Sequence, residues 1–229
     1  MPITQPSHDP AALAGHARSI LAAPSAVDLV VEGAAYDLSE GVTVQDDCGI
    51  PTFLAPIDSV LDRAASQASN ALLRISSDLA PGDESVILAG RLRLAGGCAH
   101  QQVVRVITLE IGLVTLVSTS NGAERHTTVP TREFRSPAHR LNAGYLRGTM
   151  AHANECHQDE LRQAVAMATG QRVGNVLGVA VHDLTPSGLR LSWLEPEGGH
   201  MSRIDFPRPA RDPEELAALL SSHLHSGIC

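Results

Sequence analysis

Two imidazoles, an amide and a carboxylate fall within eight consecutive positions of this 229-residue chain: His152, Asn154, His157 and Asp159. They lie between an apolar lead-in (Tyr145, Leu146, Met150) and an apolar follow-on (Leu161, Val165, Ala168). In a helix, His157 shares a face with Ala153 and Leu161, one turn to either side, so its ring points inward and needs a partner. Two kinds of chemistry meet that need: a core histidine satisfied by a backbone carbonyl or by Asp159, or a ligand or proton-handling site. The five-residue interval between His152 and His157 argues against a helical metal pair, whose ligands stand three or four apart.

Other chemistry is bounded by composition. The four cysteines (Cys48, Cys98, Cys156, Cys229) are far apart and form no C-x-x-C, which points to free thiols and not to a disulfide frame or zinc cage. A net charge of −8 sets the chain against polyanions, so no nucleic-acid partner is expected. All 17 basic residues are arginine, whose planar fork suits carboxylates and phosphates. There is no Walker loop and no G-x-S-x-G. No apolar run is long enough to cross a bilayer, and Met1 to Pro6 lacks the features of a secretion signal, so no membrane partner and a cytoplasmic location are expected.

The elements that must position these residues follow from periodicity. Asp9 to Ala23 reads as an amphipathic helix with Pro10 in its first turn. From Ala26 the period becomes two: strands are predicted at Val27–Glu32, Gly41–Asp46 and Ile50–Pro56, the last held to an edge or to its ends by prolines. A short helix over Ile57–Ala68 precedes strands at Asn70–Ser76 and Ser85–Leu94, and Gly90 inside the latter signals a bulge or a close approach of another backbone or a ligand. Val103–Thr119 reads as a pair of buried strands bent at Gly112, with Asn121-Gly122 as a hairpin turn before Glu124–Val129. Such a run of strands suggests a closed or partly open antiparallel barrel. After a connector over Ser136–Gly144, a helix ends at Gly170. Strands then follow at Val176–Leu184, Gly188–Leu194 and His200–Phe206. Asp212, Pro213 and Glu215 make a capping box for a last helix through Leu224, so the tail reads α-β-β-β-α.

The pattern H-x-N-x-x-H-x-D-x-L at 152–161, followed by Ser202-Arg203-Ile204-Asp205-Phe206-Pro207-Arg208-Pro209 and Asp212-Pro213-Glu214-Glu215-Leu216, resembles the small α/β domain of haem-utilisation proteins of the HugZ type. Ala153 and Cys156 stand where that family's pattern has Met and Asp. Residues 10–135, with the Leu88-Ala89-Gly90-Arg91 stretch, resemble the split β-barrel of the pyridoxamine-phosphate-oxidase superfamily. The resemblances imply an α+β chain: an FMN-binding-type split β-barrel over 9–135, then a C-terminal α/β domain over 140–229.

They also imply a homodimer with a flat cofactor, haem or FMN, between subunits. In that setting Leu54 to Arg63 would be the flavin phosphate cradle. It offers only Ser59 and Arg63 against Asp58 and Asp62, and the charges of that helix read as solvated. For haem, the resemblance implies an axial histidine from the C-terminal segment, with His225 or His223 as candidates and a frayed, exposed tail as their alternative; Arg91 and Arg93, alternating beside Gly90, are candidate propionate partners. A solvated strand face is the alternative for the two arginines, and His100 and His126 are further ligand candidates. Three functions stay open: a haem-binding protein of iron utilisation that also degrades haem or only holds it, an FMN-dependent oxidoreductase, and a non-catalytic regulatory protein of tetrapyrrole metabolism.

Overall fold

Asp9 starts the first helix: its carboxylate accepts the Ala11 N–H at 3.1 Å, and Pro10 needs no donor partner in the first turn. The computed structural model describes residues 9–38, 43–78, 84–95, 104–120 and 122–224. The chain is α+β with antiparallel sheets, and it folds as two units, Met1–Gly144 and Tyr145–Cys229.

In the first unit, helix α1 (Pro10–Ala22) lays Ala14, Ala17, Ile20 and Leu21 into a core shared with the strands. These are β1 (Ala26–Val31), β2 (Ala34–Asp37), β3 (Thr43–Asp47), β4 (Ile50–Pro56), β5 (Asn70–Ser76), β6 (Ser85–Leu94), β7 (Val104–Ser120) and β8 (Ala123–Val129). Their order is β2-β1-β5-β6-β7-β4-β3, with β8 also paired to β7. Alternation puts Leu29, Phe53, Leu73, Leu88, Leu92 and Leu109 on the inner face, each at most 1% exposed. One charged pair is buried with them. The Arg18 guanidinium, from the middle of α1, bonds the Asp46 carboxylate at 2.9 Å and donates to the Phe134 carbonyl at 3.1 Å. Asp46 also accepts the Gly49 N–H at 2.6 Å.

Strand β7 organises this sheet. It is one strand of 17 residues, not the expected bent pair. One edge pairs β6; the other pairs β4 at Val104–Thr108 and β8 at Val114–Ser120. Between those two partners, Arg135 donates to the bare carbonyl of Ile111 at 3.2 Å. Opposite that gap, the β6–β7 register slips between Ala89 and Gly90, so Gly112 is the extra residue of a bulge. The bulge brings the strands so close that a Cβ on Gly90 would lie 2.1 Å from the Glu110 carbonyl oxygen. Strand β4 is internal, yet its prolines are tolerated because pairing to β7 begins only at Thr52 and Pro56 is the last residue. Strand β2 was not predicted. Four residues long, it follows the Glu32-Gly33 turn, where both φ angles are positive.

Helix α2 (Val60–Ser66) is shorter than expected because Asp58 turns with φ +62 and Ser59 is the N-cap. A short helix α3 (Thr131–Phe134) precedes the predicted connector, and a 3₁₀ turn at Pro137–His139 lies within it, so the connector is not plain loop.

The second unit has α4 (Ala143–Cys156), α5 (Gln158–Thr169), β9 (Gly178–Thr185), β10 (Gly188–Glu195), β11 (Gly198–Asp205) and α6 (Pro213–Leu224), with sheet order β11-β10-β9. Helix α5 packs on β9 and α6. Gly170, with φ +70, ends α5 as expected, and Asp212 accepts the Glu215 N–H at 2.8 Å at the start of α6. The Glu215 carboxylate does not close the capping box; it takes the Arg211 N–H at 2.8 Å and pairs the Arg208 and Arg211 side chains. The single opening helix predicted for the tail is two helices, broken at His157, whose φ −122 and ψ 32 leave the helical region.

Candidate functional site

The break at His157 explains the motif. Up to Cys156 the chain is helical, and His157 still donates its N–H to the Ala153 carbonyl at 3.1 Å; its own carbonyl then accepts the Leu161 N–H and starts the next helix. The altered direction brings residues five apart together. His152 Nε2 and His157 Nε2 stand 3.2 Å apart, with ring centroids at 5.0 Å and planes at 78°. The contact was not expected, because the interval was judged on an unbroken helix. His157 is 8% exposed, as its inward face predicted, but Asp159 is not its partner. Asp159 is exposed and faces Arg162 at 3.6 Å. The buried Nδ1 of His157 makes no hydrogen bond, and the Glu160 carboxylate stands 3.7 Å from it.

Asn154 has a different task. Its amide accepts the Val181 N–H at 2.8 Å and donates to the Val181 carbonyl at 2.9 Å. Gln158, four residues on, donates to the carbonyls of Val179 and Asn154 and accepts the Val179 N–H. Strand β9 lies at the edge of its sheet, so the two amides pair the groups a further strand would have used. Sequence reasoning passed over Gln158; two amides at an i, i+4 interval beside a short sheet were the available signal.

Arg91 and Arg93 lie on the outer face of the first unit, beside the β6–β7 bulge. A shallow groove of about 560 Å³ opens there, floored by Gly90 and Gly112 and flanked by Ala89, Leu113, Arg91 and Arg93. The row Val30, Leu72, Ala89, Leu113 crosses four strands in register; Leu72 is 39% and Leu113 46% exposed. Arg93 donates to Glu110 at 3.1 Å. Glu110 is also the cross-strand neighbour of Arg91, whose guanidinium has no partner among the described residues. The groove thus offers a flat apolar strip and one uncommitted fork, which suits a planar ligand carrying a carboxylate.

The flavin alternative loses its anchor. Asp62, expected to be solvated, is buried, and its carboxylate occupies the start of α2: Oδ2 accepts the Asp58 N–H at 2.9 Å, while Ser59 Oγ accepts the Asp62 N–H at 3.1 Å. The Asp58 N–H is already taken by this carboxylate, and Asp62 Oδ1, 3.7 Å from Arg105, would repel a phosphate.

Of the remaining candidates, His126 is an exposed strand residue 3.4 Å from Glu124. His100 and His225 lie outside the described residues. The backbone of His223 lies in the last turn of α6; its side chain is outside the described set. Among the described residues no three His, Cys, Asp or Glu side chains form a metal cluster, and no helix is long and apolar enough to cross a membrane.

No protein-family model matches the chain. No curated protein matches it. Among solved structures it is similar to a heme binding protein from Mycobacterium smegmatis, at 18% identity over 97% of this chain and 98% of that one, with a TM-score of 0.42. It is also similar to an Agrobacterium tumefaciens protein of unknown function, at 15% identity over 97% and 99% of the two chains, with a TM-score of 0.45. Identity and TM-score are both too low to carry a ligand over to this chain.

Proposed function

We propose that the protein binds haem on the outer face of its first unit, as a split β-barrel of the HugZ type, with iron utilisation as its setting. The observation that carries this reading is the groove at the β6–β7 bulge. Two glycines bare the backbone, Ala89 and Leu113 are its apolar lining in a row that the exposed Leu72 continues beyond the groove, and Arg91 offers a fork at its rim. A macrocycle needs apolar planar contact, a cation for a propionate and an iron donor. The lining residues fit the first two needs and include no imidazole, thiol or thioether. The donor in this reading is His225 or His223, as the family resemblance implies. Arg91 is the propionate partner and Arg93, held by Glu110, shapes the rim. Bound haem would supply the iron chemistry; the groove contributes the plane and the cation.

The exposed strip is also the face a second copy would cover, so a homodimer belongs to this reading, as does division of the chain into a barrel over 9–135 and an α/β domain over 140–229. Hemin titration of the purified protein followed by absorbance tests it. A saturable Soret band is expected, weakened by His225→Ala or His223→Ala. Arg91→Glu is expected to lower affinity about tenfold, the scale of one charge-assisted hydrogen bond at an exposed site. Hemin that partitions without saturation, or Arg91→Glu binding like the parent, refutes the groove.

A further inference from the structure

The two histidines of the motif are in hydrogen-bond contact through their Nε2 atoms, with the ring axes converging instead of lying on one line. Two imidazoles with both ring axes on the N···N line would hold their centroids about 5.5 Å apart at this nitrogen separation, and a bent hydrogen bond brings them closer. Two imidazoles on one tetrahedral ion, at about 2.0–2.1 Å from each nitrogen, place the nitrogens about 3.3 Å and the centroids about 5.2 Å apart. The observed 3.2 Å and 5.0 Å match the converging arrangement. The far side of His157 supports the same assignment. Its Nδ1 is buried without a hydrogen bond, and the Glu160 carboxylate lies 3.7 Å away. A carboxylate there favours the tautomer with the proton on Nδ1, which leaves the Nε2 lone pair directed toward His152. Histidine ligands of metals are commonly oriented in this way, with the second ring nitrogen donating to a carboxylate.

We propose that His152 and His157 form a two-imidazole site for a divalent transition-metal ion of the zinc, nickel or copper class, with Glu160 orienting His157. Imidazole nitrogen suits these ions, whereas calcium and magnesium call for oxygen. No third His, Cys, Asp or Glu joins the pair among the described residues, and His152 is exposed, so the remaining positions are open to water or an incoming ligand. The site is therefore an exchangeable one and not a folding staple.

The experiment is a calorimetric titration of the full-length, chelator-treated protein with zinc chloride, with the histidine ring resonances followed by NMR. One equivalent is expected to shift the His152 and His157 rings together. His152→Ala, an exposed substitution that leaves the core alone, removes that equivalent. Glu160→Gln weakens it about 10–100-fold, the usual cost of losing such a carboxylate. The double variant His223→Ala/His225→Ala retains it. Zinc uptake unchanged in His152→Ala, or lost only in the double variant, overturns the proposal, as does ring chemical shifts that stay still while zinc binds.

Discussion

Replacing Asn154 with alanine is expected to unpin the edge of the three-stranded sheet. The amide holds both polar groups of Val181, at 2.8 and 2.9 Å, in a partly buried position where water replaces them poorly. A net hydrogen bond is worth about 1 kcal/mol, and a donor or acceptor left unsatisfied costs about 1–3 kcal/mol. Partial exposure favours the lower end, so the two bonds together amount to about 2–3 kcal/mol. At about 4–8 °C per kcal/mol for a domain of this size, the melting temperature of the second unit should fall by about 10–20 °C. Scanning calorimetry of the full chain measures the shift, and amide exchange at Val181 reports whether the loss is local. Asp159→Ala is the control: its side chain is 95% exposed and its Arg162 contact is a surface pair, so a change within about 0.5 kcal/mol is expected. An Asn154→Ala protein that melts within about 2 °C of the parent, with Val181 equally protected, would refute the edge-clamp role.

Three further outcomes follow from the first unit. Asp46→Ala strands the Arg18 guanidinium, only 2% exposed, and should destabilise the protein by about 3–5 kcal/mol in denaturant unfolding; a loss under 1 kcal/mol would mean the pair is solvated. Gly90→Ala must push Cβ away from the Glu110 carbonyl, so a loss of about 3 kcal/mol or more is expected in the same assay, and a neutral result would mean no tight bulge exists. Burial, and after it the charge of Arg18, hold the His139 ring below its ordinary value of 6.5, against an opposing pull from Glu133. The unfolded chain therefore takes up this proton first as pH falls, so the contribution of His139 is complete above 6.5 and is lost as pH drops through its lowered folded value. His139→Gln should flatten that part of the stability profile, and an NMR midpoint for His139 at or above 6.5 would contradict the packing of its ring against Gly15.

Much of the architecture was present in local chemistry. The first-turn Pro10, the cap at Asp212, the stop at Gly170, the limits of β4, β5 and β6 and the bulge at Gly90 each depend on a residue and its near neighbours, and each stands where it was read. Strand β2 escaped because four residues after a tight turn carry too little pattern, and the long run of β7 was divided because Gly112 resembles a bend until its partner strand is known.

Asp62 was misjudged for a related reason. A carboxylate in the first turn of a short helix looks solvated in sequence, and only the packed fold shows it buried and accepting the Asp58 amide.

By itself, then, the order of residues decided most of the helices and strands, several of the turns, and that an inward-facing histidine at 157 would need company. Which group keeps that company was left to the fold. A one-residue departure from helical dihedrals carries His157 back to His152, an encounter that no periodic template contains. The same holds for Arg135 beneath β7 and the two amides on β9, because side-chain partners across a sheet edge are chosen by packing in space and not by spacing along the backbone.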